Sequence, residues 1–208
     1  SQAKYKIWLK DEFVVFSPEI FVKITKAKIY SYPMKGTINA SVPDSEQVLL
    51  NNKKEIAEHA TIVDLIRNDL NRVSNNVRVE KFRYIDRIKG HDKDILQVSS
   101  EIVGDLTADY LNRLGEIMKT LLPAGSICGA PKKKTVEIIL ENETYSRGYY
   151  SGVMGIFDGE NLDSGVMIRY IEQTEKGLVF KSGGGITVNS KVEDEYQELI
   201  DKVYVPLV

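Results

Sequence analysis

The chain has 208 residues, enough for a sizeable core, and its 42% hydrophobic and 28% charged residues are the balance of a soluble globular protein. Lys+Arg 28 against Asp+Glu 30 leave a net charge of −2, which excludes a field that recruits nucleic acid or an anionic membrane. The single cysteine, Cys128, excludes an internal disulfide and fits a reducing, cytoplasmic setting, and no apolar run reaches membrane-spanning length.

Residues 5–37 alternate or run apolar with β-branched and aromatic side chains, which predicts short strands at Tyr5–Leu9, Phe13–Phe16, Ile20–Ile24 and Lys28–Ser31. A tight turn is expected next, at Tyr32-Pro33-Met34-Lys35-Gly36-Thr37. There proline presets φ, glycine frees the backbone, and Lys35 is held where the chain bends. Asp44 and Ser45 are cap candidates for one long helix to about Leu70, with Ile56, Ala60, Val63, Ile66 and Leu70 on its apolar face. Strand signals resume at Val77–Ile88 and Ile95–Val103, with His91 in the polar turn between them. Asp109–Leu122 reads as a helix stopped by Pro123, Gly125–Gly129 as a loop. Pro131 then opens a helix that carries Val136, Ile139 and Leu140 inward. Strands follow at Gly152–Phe157, Leu162–Ile171 and Leu178–Lys181, the first two joined by an Asp158-Gly159 turn, and a last helix starts near Val192. The pattern predicts a single α+β domain over residues 1–208. An opening of Ser1-Gln2-Ala3 without an initiator Met predicts a piece of a longer protein.

Several groups have the chemistry for a site. A lysine amine on a constrained bend is a nucleophile or base when its surroundings favour the free amine, and otherwise a solvated charge. Glu55 and Glu58 share one helix face, as do Glu195, Glu198 and Lys202 on the last helix. Carboxylates from two helices suit Mg²⁺, which takes one or two of them plus water and substrate oxygens, whereas spacing alone favours solvated helix faces. Gly183-Gly184-Gly185 after a strand reads as an anion nest or a flexible turn. Arg169, inside the apolar run Val166–Tyr170, either pairs with a structural carboxylate or grips a substrate carboxylate. His59, beside Glu58, either lines the same site or packs the helix.

Taken together, these segments resemble the chorismate-utilising enzymes over almost the whole chain, in order. The matching stretches are Ser17-Pro18-Glu19, Pro33-Met34-Lys35-Gly36-Thr37, Ala57-Glu58-His59 with Ile62–Leu70, and Pro123–Lys132. They continue with Tyr150-Ser151-Gly152, Ile168-Arg169, Gly183–Ile186 and Glu195-Tyr196-Gln197-Glu198. The resemblance implies an anthranilate-synthase-like α/β sandwich, two β-sheets faced by helices, with its N-terminal part missing. It follows that the fragment alone is expected to fall short of full activity.

Within the family, lysine before Gly-Thr resembles the aminodeoxychorismate synthase branch, where anthranilate, isochorismate and salicylate synthases usually carry alanine. That resemblance implies Lys35 as covalent nucleophile on chorismate and Glu19 as acid/base partner. It implies Thr37, Tyr150, Arg169, Gly183, Gly184, Gly185 and Lys202 as substrate contacts, and Glu55, Glu58, Glu195 and Glu198 as holders of Mg²⁺. A glutamine amidotransferase subunit supplying ammonia is the implied partner, since no cysteine elbow of that type is present. Cys128 and Gln97 depart from residues usual in the family, threonine and, in many anthranilate synthases, histidine. A sister enzyme making anthranilate or salicylate, and a non-catalytic chorismate-binding scaffold, are the alternatives.

Overall fold

The computed structural model describes residues 3–88, 94–188 and 190–203; His91 lies outside them. Two antiparallel sheets carry the fold. The smaller has the order β1-β2-β10-β11, from β1 (Tyr5–Leu9), β2 (Phe13–Ser17), β10 (Tyr170–Thr174) and β11 (Gly177–Lys181). The larger holds β3 (Ile20–Thr25), β4 (Lys28–Ser31), β5 (Met34–Asn39), β6 (Asn75–Ile88), β7 (Ile95–Asp105), β8 (Val153–Phe157) and β9 (Leu162–Val166). β7 is its spine: β6 pairs with it, and so do β4 at Ile102–Asp105 and β5 at Ile95–Ser99.

The two sheets are stitched by the same pair of chain segments. β2 runs into β3 through Pro18 and Glu19, and β9 runs into β10 through Met167, Ile168 and Arg169. At this level the Val166 N–H donates to the Glu19 carbonyl (3.1 Å) and the Phe16 N–H donates to the Arg169 carbonyl (3.2 Å). The single strand predicted over Leu162–Ile171 is therefore two. Arg169 does not lie within a strand: it adopts φ 53 at the crossing, a left-handed value that is uncommon outside glycine.

Helices cover the larger sheet. The long helix predicted after Asp44 is two, α1 (Ser45–Asn51) and α2 (Lys53–Asn71), because Asn52 leaves helical geometry and recaps the chain. Its Oδ1 accepts from the Lys54 and Glu55 N–H groups at 3.0 and 3.2 Å, a role asparagine fills better than it fills a helix interior. The buried face of α2 is His59, Val63, Leu65, Asp69 and Leu70, whereas Ala60 is exposed. Residues 109–122 form a 3-10 turn, Tyr110–Arg113, followed by α3 (Leu114–Leu121), and the predicted loop contains a one-turn helix, α4 (Gly125–Cys128).

The main core lies between α2, α3 and the sheet, around Ile24, Ile29, Leu70, Ile102, Ile117 and Val166. Phe13, Val15, Tyr150, Met167 and Tyr170 form a smaller cluster on the other sheet. α5 (Lys132–Asn142) departs from expectation: it has no buried residue, and Leu140 is 75% exposed rather than inward. α6 (Val192–Asp201) also buries no residue. No helix among the described residues is long and apolar enough to cross a membrane.

Candidate active site

A cavity of about 590 Å³ opens where the sheet crossings meet α2, α4 and α6. Its wall includes Glu19, Lys35, Gln97, Ser126, Tyr150, Arg169, Gly183, Gly184, Gly185, Glu198 and Lys202. Residues spread over most of the chain thus face one space.

Lys35 does not sit on a turn. Met34 pairs with Ser99 and Thr37 with Gln97, which leaves two residues of β5 opposite the one residue Val98, so Lys35 and Gly36 form a β-bulge in β5. Gly36 takes φ 79, and a Cβ there would lie 2.9 Å from Glu55 Oε2 and 3.2 Å from Leu49 Cδ1. The positive φ is what favours glycine here, while the two side-chain ends would have to move for a Cβ, and the bulge re-aims the lysine out of the ladder. Lys35 Nζ donates to Glu58 Oε2 at 3.0 Å, while Lys54 approaches the other oxygen at 3.8 Å.

Glu19 is half-buried on the first crossing. Its N–H donates to Ser17 Oγ (3.1 Å), and Oε1 accepts a short hydrogen bond from Ser126 Oγ. Burial pushes its carboxyl above the ordinary value of 4.5, against the opposing pull of Ser126 and of the Lys202 charge. A raised folded-state pKa means that the folded chain keeps this proton to higher pH than the unfolded chain does. Stability is therefore lost as pH rises from the ordinary value through the raised one. Glu19→Gln is accordingly expected to raise the melting temperature at pH 7 and to leave it unchanged near pH 4. Thermal unfolding of both proteins across that range checks this, and a lower melting temperature at pH 7 contradicts it.

Arg169 is not free in the cavity. Its Nη1 donates to the Lys202 carbonyl at the C-terminus of α6, a favourable place for a cation. Lys202 Nζ donates to the Gly183 carbonyl at 3.1 Å and pairs with Glu198 at 2.5 Å. Tyr150 is buried, which pushes its phenol up, and its hydroxyl lies 2.8 Å from where a Cβ on Gly183 would stand. None of Gly183, Gly184 and Gly185 takes a left-handed φ, so the nest of alternating hand is not formed; the three instead give the cavity a wall without side chains.

Thr37, Glu55, Glu58 and Glu195 lie off the cavity wall. Glu195 accepts from Ser190 Oγ at 2.5 Å. The four glutamates stand as two pairs, on α2 and α6. Among the described residues no three acidic, histidine or cysteine groups converge as a metal site. Their donor chemistry still fits Mg²⁺, because each pair alone meets the one or two carboxylates that the ion takes from protein. His59 resolves to packing. It is fully buried, hydrogen-bonds Ser100 Oγ through Nε2 at 2.7 Å, and is pushed down to about 4 by burial and then by Arg83.

Sequence reasoning missed the ion pair between Asp69 and Lys132, 2.5 Å apart with 10% and 14% of their side chains exposed. It ties α2 to the start of α5 beside the cavity, and Lys132 Nζ also donates to the Leu121 carbonyl at 2.9 Å. Two signals were present. Asp69 falls on the apolar face three residues after Ile66, and Lys132 stands in a helix first turn, where a cation is unfavourable.

The sequence profile of the chorismate binding enzyme family matches residues 1–208, and the chain belongs to that family. It is 57% identical over 207 residues to a Haemophilus influenzae protein called an uncharacterized PabA-like protein, covering 100% of this chain and 63% of that one. It is 33% identical over 201 residues to the aminodeoxychorismate synthase component 1 of Bacillus subtilis, covering 93% of this chain and 42% of the relative. Among solved structures, anthranilate synthase component I from Streptococcus pneumoniae superposes with a TM-score of 0.82 at 29% identity, over 98% of this chain and 45% of that one. The sandwich expected from the resemblance is thus the fold, and the chain spans less than two thirds of the length of these relatives.

Proposed function

We propose that this chain is the catalytic portion of an aminodeoxychorismate synthase, transferring ammonia to chorismate to make 4-amino-4-deoxychorismate, the precursor of para-aminobenzoate and folate. The observation that carries the reading is Lys35, turned out of β5 by its bulge into the cavity that Glu19 also lines. In this reading the free amine of Lys35 forms a bond to ring carbon 2 while the bond from carbon 4 to its hydroxyl breaks. Glu19 gives its proton to that hydroxyl, which leaves as water. Ammonia then bonds to carbon 4, the carbon 2 to nitrogen bond breaks, and the excess proton of the new amine returns to Glu19.

Tyr150, the wall of Gly183, Gly184 and Gly185, Arg169 and Lys202 bind the two substrate carboxylates, with Thr37 beside the lysine bulge. Mg²⁺, which supplies positive charge against the ring carboxylate when bound, would be held by one of the two glutamate pairs, Glu55 and Glu58 or Glu195 and Glu198. A glutamine amidotransferase subunit provides the ammonia, and the reaction runs in the cytoplasm.

A second reading, an anthranilate synthase, is favoured by the close superposition on the Streptococcus pneumoniae enzyme. Product analysis separates the two. The full-length parent protein is incubated with chorismate, Mg²⁺ and ammonium, and an aminodeoxychorismate lyase is then added. Para-aminobenzoate is the expected product; anthranilate or salicylate overturns the proposal. No product from folded protein favours a chorismate-binding scaffold. Lack of any joint rise in melting temperature with Mg²⁺ and chorismate supports that outcome.

A further inference from the structure

Ser126 and Glu19 approach each other from opposite sides of the cavity, each on a backbone that is pinned independently. Glu19 is fixed on the sheet side: its N–H is bound to Ser17 Oγ and its carbonyl accepts from Val166. Ser126 is fixed on the helix side by the packing of α4 on α2. A Cβ on Gly125 would lie 3.0 Å from Ile66 Cδ1, 3.2 Å from Leu65 Cδ2 and 3.3 Å from Asp69 Oδ2, so the turn packs tightly on α2 and a side chain there would push these neighbours back. The Asp69–Lys132 pair locks the far end of the same loop to α2. Between these supports the Ser126 hydroxyl donates to Glu19 Oε1.

A serine hydroxyl has one proton to give, and an oxygen that accepts it is the poorer place for a carboxylic proton. We propose that Ser126 is the positioning residue for Glu19, holding Oε1 so that Oε2 alone carries the proton exchanged with substrate. When the Oε2–H bond breaks and the departing hydroxyl takes that proton, the carboxylate left behind is stabilised by the Ser126 donor and by the Lys202 charge from α6. When the proton of the incoming amine is taken up, Oε2 receives it again. The inference rests on the acid/base reading of Glu19 and adds the group that orients it.

The test compares the wild-type chain with Ser126→Ala and Ser126→Thr. Ser126 is exposed, so neither variant is expected to disturb folding. Chain labelled with carbon-13 at the glutamate carboxyl is titrated by NMR, and the Glu19 signal is assigned by its absence in Glu19→Gln. Loss of a hydrogen bond to the charged form is expected to move the midpoint upward in Ser126→Ala, by about one pH unit. Threonine, which keeps the hydroxyl, is expected to restore it. In the full-length enzyme Ser126→Ala is expected to lower kcat by about tenfold with KM changed less than twofold, since proton transfer and not binding is affected. Coincident titration curves for wild type and Ser126→Ala overturn the proposal. Full turnover by Glu19→Gln overturns the acid/base reading instead, and is told apart because the midpoint shift in Ser126→Ala then persists.

Discussion

Lys35→Ala in the full-length enzyme is expected to abolish the covalent adduct with chorismate and to cut turnover by on the order of 10³-fold or more, as loss of a covalent nucleophile does. The adduct is read by intact mass as one chorismate less one water. The substitution is expected to leave the fold intact. The Lys35–Glu58 pair is solvent-facing, with 45% and 25% of the two side chains exposed, and pairs of that kind contribute about 0–1 kcal/mol. Lys35→Arg separates charge from nucleophilicity: it keeps a cation for Glu58 and has no free amine to add to the ring. It is expected to match the alanine variant in lost turnover and the wild type in melting temperature. Retained product from Lys35→Arg assigns the residue to charge placement and removes the covalent step.

The largest effect on stability is expected at the Asp69–Lys132 pair. Removing one partner of a buried pair strands the other charge, at about 3–5 kcal/mol. Asp69 lines the cavity and keeps 10% of its side chain exposed, so the low end of that range applies. For a domain of this size Lys132→Met is then expected to lower the melting temperature by roughly 10 °C. The double variant Asp69→Leu/Lys132→Met removes both charges and is expected to recover most of the loss, short of the cap that Lys132 provides at the Leu121 carbonyl. A double variant no more stable than Lys132→Met assigns the effect to that cap. The pair also bears on the site, because it anchors the loop that presents Ser126 to Glu19. Lys132→Met is therefore expected to lose turnover at temperatures where it remains folded.

Most elements of this chain are legible in its sequence because they are local. Alternation of β-branched and aromatic residues marks β1 to β4, and apolar spacing of three or four marks α2. The residue types of the site, a lysine beside glycine, paired glutamates and an arginine in an apolar run, also announce their chemistry one segment at a time. The failures share one cause, which is that a pattern along the chain carries no information about partners across it. Apolar spacing in α5 cannot show that, among the described residues, no layer covers Leu140. A strand signal running from Leu162 to Ile171 cannot show that the chain changes sheets at Arg169.

The sequence by itself determined the family, the two kinds of element and the side chains from which a site is built. Only the tertiary structure decided where those side chains meet. Pairing against β7 forces the bulge that turns Lys35 outward, and the shared crossing of β2–β3 with β9–β10 brings Glu19 and Arg169 to one level. Burial turns Asp69 and Lys132 into a pair and His59 into packing. Each of these rests on backbone hydrogen bonds and desolvation between segments far apart in the chain, and such energies exist only once the chain has folded.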